Sequence, residues 1–181
     1  MKIRLATVWL GGCAGCHMSF LDLDEFLIDL ADAVELVYSP VVDVKHYPEN
    51  VDLCLIEGAV CNEDNLEILH QIRARTKILV SFGDCAVTGN VPAMRNPLGL
   101  SNVENVLQRA YVENAQNNPS VPKADGIVPQ LLANVRPVHE MVAVEYFLPG
   151  CPPPAARIKS LVAQLLAGTA PVQTGEELKF G

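Results

Sequence analysis

Three observations predict an α/β fold with a mostly parallel sheet. Short apolar runs rich in β-branched residues alternate with segments of helical spacing, each run stops at glycine or proline, and cysteines follow several of those stops. Residues 3–10 form the first run, with Ile3, Thr7, Val8 and Trp9, bounded by Gly11-Gly12. The turn Cys13-Ala14-Gly15-Cys16 follows. Residues 19–33 then place Phe20, Leu23, Phe26, Leu27 and Leu30 at helical spacing, and Ser19-Phe20-Leu21-Asp22 reads as a capping-box-like start. The opening unit is therefore strand, cysteine-bearing turn, helix.

Residues 34–38 predict a second strand, and residues 41–50, with Pro48, an irregular connection. Residues 51–58 predict a third strand ending in glycine, within which Cys54 reads as a small buried hydrophobe. From Asn62 a helix is expected with Leu66, Leu69 and Ile72 on one face. Glu63 and Asp64 lie near its start and Arg73, Arg75 and Lys77 near its end, an order that suits the helix dipole. Residues 77–82 predict the fourth strand, stopped by Gly83-Asp84-Cys85. Residues 87–100 read as a loop, and a helix with Val103, Val106, Leu107 and Ala110 inward follows. Residues 114–130 are polar, hold three prolines and predict a functional or docking loop. A short helix is expected over 129–136, the last strand over 141–148 and a closing helix over 155–167. One domain spans 1–168, and 169–181 form a loosely ordered tail.

In a parallel sheet every strand points its carboxyl end to the same edge, where ligands of doubly wound proteins bind. Cys13 and Cys16 follow the first strand, Cys85 the fourth and Cys151 the fifth, so topology alone delivers four thiols to one edge. Cys61, a few residues past Glu57, reaches the same edge, so topology alone does not single out four. Four thiolates suit a 4Fe-4S cluster or zinc. Structural zinc sites draw on close-spaced pairs in small modules, whereas only one pair is close here. A thioredoxin-like dithiol is the rival reading of Cys13 and Cys16, but dithiol exchange needs no thiols at two further strand ends.

Composition narrows the function classes. Half of the 181 residues are hydrophobic and 19% are charged, below the roughly 25% usual for a soluble domain, which points to a permanent partner. A net charge of −8 argues against nucleic acid. No stretch approaches the ~18 apolar residues of a membrane span, and the first apolar run is a poor signal-peptide core. A cytoplasmic location is expected, where six cysteines favour metal or redox chemistry over disulfides. Gly11, Gly12 and Gly15 miss the Gly-x-Gly-x-x-Gly spacing and no phosphate-loop motif occurs, so the chain itself is not expected to bind a dinucleotide or nucleoside triphosphate.

Trp9-Leu10-Gly11-Gly12-Cys13-Ala14-Gly15-Cys16-His17-Met18-Ser19, Gly83-Asp84-Cys85-Ala86-Val87-Thr88-Gly89 and Pro149-Gly150-Cys151-Pro152-Pro153 together strongly resemble the small subunit of nickel-iron hydrogenases of the cytoplasmic, bidirectional, NAD-reducing type. The resemblance covers nearly the whole chain. It implies a flavodoxin-like three-layer domain whose Cys13, Cys16, Cys85 and Cys151 bind one 4Fe-4S cluster at the carboxyl edge. That cluster would lie next to the nickel-iron site of a separate large subunit and pass electrons to iron-sulfur diaphorase subunits carrying flavin and NAD(P). Two departures from the longer uptake hydrogenases bear on this: no twin-arginine leader is seen, and no cysteine follows Cys151, so the domain holding two further clusters is expected to be absent. The chain is also similar to the cluster-bearing hydrophilic subunit of respiratory complex I. That family places two adjacent cysteines in the first loop, where this chain separates them by Ala14-Gly15.

Beside the cluster, His17 reads either as an ordinary helix residue or as an interface or cluster hydrogen-bonding group. The loops around His17, Thr88 and Pro152-Pro153-Pro154 are expected in the large-subunit interface. Glu57 ends the third strand at the same edge, where a carboxylate is costly to desolvate unless hydrogen-bonded. It reads as an anchor for the turn at residues 58–60, or as a titratable or ligating group that relays protons beside the cluster.

Overall fold

The computed structural model describes residues 2–180. Met1 and Gly181, the outer limits of the expected domain and tail, lie outside them. In chain order the elements are β1 (Ile3–Trp9), α1 (Gly15–Leu21), α2 (Phe26–Ala33), β2 (Val34–Tyr38), β3 (Val51–Glu57), β4 (Val60–Asn62), α3 (Glu63–Arg75), β5 (Thr76–Phe82), α4 (Asp84–Thr88), α5 (Asn90–Ala93), α6 (Leu100–Gln108), β6 (Leu131–Arg136), α7 (Val138–Met141), β7 (Tyr146–Leu148) and α8 (Ala155–Leu166). Five strands pair in parallel in the order β2-β1-β3-β5-β7. Counted along the parallel sheet this is 2-1-3-4-5, the flavodoxin-like order, whose switch point lies between the first and third strands.

Helices cover both faces. Ala6, Val8, Ile56 and Leu79 share one buried cluster with Leu69 and Ile72 of α3 and Val138 of α7. Leu5, Leu55, Val80 and Phe82 share the other with Leu30 of α2 and Ile158, Leu161 and Val162 of α8. This two-sided burial explains why β3 reads as an almost unbroken apolar run rather than an alternating one. Asn62 accepts the Asn65 amide at 2.8 Å and so caps α3 at its expected start.

Several expectations are corrected. The helix expected over 19–33 is two helices: α1 begins already at Gly15, and the chain breaks at Asp24, whose φ is 51°. Ser19 lies inside α1 rather than capping it. Residues 129–136 hold the strand β6 instead of a helix. It pairs antiparallel with β4, and Asn96 takes the place of a neighbouring strand by bonding both the N–H and the carbonyl of Val135, at 2.8 and 2.9 Å. The last strand is short because residues 138–141 coil into α7 after Pro137, and Glu145 then reaches the Leu79 amide with its carboxylate at 2.7 Å. Residues 87–100 include the helical turn α5. The tail docks: Gln173 bonds both backbone groups of Phe147, at 2.8 and 3.0 Å, covering the free edge of β7. Among the described residues no helix is long and apolar enough to cross a membrane.

Candidate functional site

The carboxyl ends of β1 and β3 are tied together past the last sheet pair. Leu10 N donates to Glu57 O at 2.8 Å, and Gly11 and Ala59 exchange two N–H···O bonds of 2.9 and 2.8 Å. Gly58 makes this approach possible: its φ is 90°, and a Cβ there would lie 2.9 Å from the Gly11 carbonyl oxygen. The chain leaving β1 is thereby held over the switch point, and Cys13 and Cys16 emerge there.

Glu57 is 1% exposed. Its Oε1 accepts the Cys16 amide at 3.1 Å, its Oε2 accepts the His17 amide at 2.9 Å, and Oε2 also pairs with His17 Nδ1. The carboxylate therefore caps α1 from a different strand, satisfying first-turn donors that Ala14 has no side chain to reach. Of the two roles read for Glu57, these bonds are those of an anchor, with residues 16–17 as partners and not the turn at 58–60, and they leave the relay role untested. His17 is drawn inward by the same carboxylate and lies 6.3 Å, ring to ring, from Phe82.

Cys13, Cys85 and Cys151 line one cavity of about 380 Å³ together with Gly11, Gly12, Cys61, Val91 and Pro92. Cys16 sits behind it, buried against Gly83, where a Cβ would come within 2.2 Å of its sulfur. Gly83 adopts φ 85° and ψ 159°, so this position demands glycine twice over. All six cysteines are free thiols. Two sulfurs receive N–H donors: Gly15 N to Cys13 Sγ at 3.4 Å and Asn90 Nδ2 to Cys151 Sγ at 3.6 Å.

Cys16 and Cys85 feel the other cysteines of the site, whereas Cys61 and Cys54 do not. Burial pushes the Cys16 thiol up, and Glu57, Cys85, Cys13 and Cys151 push it further. Burial, then Cys151 and Cys13, push Cys85 up to about 11, against a small opposing effect of the Val91 amide. Cys61 is raised by burial and eased by Arg95, with no contribution from another thiol. Cys54 lies mid-strand, and burial pushes it up to about 12. Deprotonation of Cys16 and of Cys85 is opposed by burial and by the charge of neighbouring cysteines and of Glu57. A cationic core binding all four would relieve that repulsion and hold them as thiolates. The cavity of about 380 Å³ that Cys13, Cys85 and Cys151 line has room for a multi-atom group. The donor set and its space therefore fit a 4Fe-4S cluster.

Sequence reasoning missed Ser19, Asp84 and Asn90 as site residues. Ser19, one helical turn after Cys16, donates to Pro153 O at 2.6 Å. Asp84 bonds the residue before Cys151, and Asn90 the Cys151 sulfur itself. The helical spacing of Cys16 and Ser19 was a readable signal; the other two contacts depend on how distant loops meet.

The family described as NADH ubiquinone oxidoreductase, 20 Kd subunit, matches residues 13–165, a span that holds all four cysteines. The chain belongs to this family. This member of the 20 Kd subunit family is 42% identical over 173 residues to the NAD-reducing hydrogenase HoxS subunit delta of Cupriavidus necator, covering 92% of its own length and 80% of that chain. It is 39% identical over 171 residues to a subunit of the F420-non-reducing hydrogenase vhu of Methanococcus voltae, of whose length it spans 58%. An NAD+-reducing [NiFe]-hydrogenase in the H2-reduced state contains a chain that superposes with a TM-score of 0.92 at 43% identity over 100% of both chains. A [NiFeSe]-hydrogenase from Dm. baculatum shares the fold, with a TM-score of 0.61 at 16% identity over 98% of this chain and 68% of that one. Within the 20 Kd subunit family the chain is thus of the hydrogenase small-subunit type.

Proposed function

We propose that this chain is the electron-relay subunit of a cytoplasmic NAD-reducing nickel-iron hydrogenase. In this reading Cys13, Cys16, Cys85 and Cys151 hold one 4Fe-4S cluster between the nickel-iron site of a large subunit and diaphorase subunits that carry flavin and NAD(P). The observation that carries it is that three strand ends bring Cys13, Cys85 and Cys151 to one cavity at the carboxyl edge of the sheet, with Cys16 buried against Gly83 beside Cys85. When bound, such a cluster supplies a one-electron centre. The chain's own residues do the rest. Gly15 and Asn90 point N–H groups at two sulfurs, which lowers the energy of the thiolate form, and Gly83 lets Cys16 lie deep enough to be shielded from water.

The partner reading is supported by the rim of the site. Met18, Val91 and Met94 are 60%, 62% and 73% exposed, and Thr88, Pro152 and Pro154 are exposed beside them. An obligate interface of this kind typically buries over ~2,000 Å² in total. The deciding measurement is iron and acid-labile sulfide in the isolated complex, wild type against serine variants. Replacing any of the four cysteines is expected to remove about four iron and four sulfide per complex, together with one reduced-cluster EPR signal. Cys61→Ser is expected to keep that signal. Zinc in place of iron, or loss of the signal in Cys61→Ser but not in Cys151→Ser, would overturn the assignment.

A further inference from the structure

The loops bearing Cys85 and Cys151 are closed on each other by a two-way hydrogen bond between the residues that precede the two cysteines. Gly150 N donates to Asp84 Oδ1 at 2.6 Å, and Asp84 N donates to Gly150 O at 2.9 Å. Asp84 is 7% exposed, so this pin is sheltered from competing water. Next to it Gly83 N donates to Leu148 O at 2.8 Å, which continues the β5–β7 pairing into the loops.

The loop on the Cys151 side has few other means of being held. Of residues 149–154, four are prolines without an N–H, leaving Gly150 and Cys151 as the backbone donors. Its carbonyls are fastened from outside: Arg157 donates to Pro149 O at 2.9 Å and Ser19 to Pro153 O at 2.6 Å. The Gly150 amide is fastened by the Asp84 carboxylate. Since α4 spans only residues 84–88, the helix alone does little to fix where Cys85 departs from the sheet. The Asp84 side chain thus takes up the Gly150 amide, and it joins the residues preceding two cysteines 66 positions apart.

We propose that Asp84 is a positioning residue that pins Gly150 to the start of α4 and so holds Cys85 and Cys151 at the separation a shared cluster requires. This rests on the four-cysteine reading above. Asp84→Ala removes the acceptor of the Gly150 amide and leaves the Cys151 loop held only through its carbonyls; Asp84→Asn removes the charge but keeps an acceptor oxygen. The measurement follows, in the assembled complex, the reduced-cluster EPR signal that Cys85→Ser abolishes, together with the rate at which a ferrous chelator strips it.

Asp84→Ala is expected to broaden the signal and speed its loss by about 10-fold, the scale on which groups that orient metal ligands act. Asp84→Asn should return both to wild type. Leu69→Ala, which trims a buried core residue of α3, serves as a control for general destabilisation and should leave the line shape unchanged. Wild-type line shape and chelator resistance in Asp84→Ala would overturn the proposal. So would signal loss in Asp84→Asn, even where the alanine variant fails to assemble, because a requirement for charge is not a requirement for the hydrogen bond. A normal asparagine variant beside an alanine variant that does not assemble supports it. If Cys85→Ser abolishes no signal at all, it is the four-cysteine reading that has failed, and the role of Asp84 goes with it.

Discussion

Glu57→Gln tests how the first cysteine loop is held. The carboxylate divides its work, Oε1 taking the Cys16 amide at 3.1 Å and Oε2 the His17 amide at 2.9 Å together with His17 Nδ1. An amide keeps one oxygen and replaces the other with an NH2 group, which faces a backbone N–H with a second donor. At least one buried charge-assisted bond is therefore lost, a cost of roughly 1.5–3 kcal/mol. A loss of about 2 kcal/mol corresponds to about 30-fold in the local opening equilibrium. Hydrogen-deuterium exchange of a peptide covering residues 13–21, measured in the intact complex, reads that factor directly. Exchange as slow as wild type would refute the anchoring argument. If hydrogen turnover fell while exchange stayed slow, the proton of Glu57 would be its contribution, as the relay role expects.

Three further outcomes follow from the same geometry. Gly83→Ala puts a methyl 2.2 Å from the Cys16 sulfur at φ 85° and ψ 159°, a backbone region that costs about 1–3 kcal/mol for other residues; the reduced-cluster EPR signal should vanish while far-UV circular dichroism is retained. Cys54→Ala trims a side chain of zero exposure within β3, so thermal stability should fall by on the order of 1 kcal/mol with an unchanged cluster signal. Asp52 takes the Lys77 ammonium at 2.6 Å and the Arg4 amide at 2.9 Å, which hold its carboxyl below the usual carboxylate range. Because the folded value lies under the unfolded one, this stabilisation is present above pH ~4 and fades as pH falls through the folded value. With Lys77 73% exposed, Asp52→Asn should cost less than about 1 kcal/mol at neutral pH. The gap in melting temperature between the two proteins should close as pH is lowered below ~4.

The parallel core was readable because its signals are local. β1, β2, β3 and β5 match their expected spans to within a residue or so, since an apolar run buried on both faces and stopped by glycine has few alternatives. What misled was context. Residues 131–136 carry no strong strand pattern and become a strand because β4, Asn96 and Arg95 offer their backbone partners: Arg95 donates to Leu132 O at 2.8 Å and to Cys61 O at 3.1 Å. The start of α1 moved four residues earlier than expected because its first-turn amides are satisfied by Glu57, 40 and more residues away, and no local cap marks the spot.

The candidate site follows the same division. That Cys13, Cys16, Cys61, Cys85 and Cys151 reach one edge is a matter of parallel topology, legible from the alternation of strands and helices, though topology does not choose four of the five; how the loops are held there is a matter of three buried polar side chains, each joining two segments distant in sequence. Glu57 ties β3 to the loop of Cys16, Ser19 ties α1 to the loop of Cys151, and Asp84 ties that loop to Cys85. None of the three bonds spans fewer than 41 residues, so no window of sequence contains both partners. A buried polar group left without its partner costs about 1–3 kcal/mol, so each tie stabilises the closed arrangement of loops and penalises every other. The three cysteine loops are in this way joined by bonds that do not pass through the thiols, so the surroundings of a short motif such as Cys13-Ala14-Gly15-Cys16, and not the motif alone, decide whether it can serve the proposed cluster or a dithiol site on another scaffold.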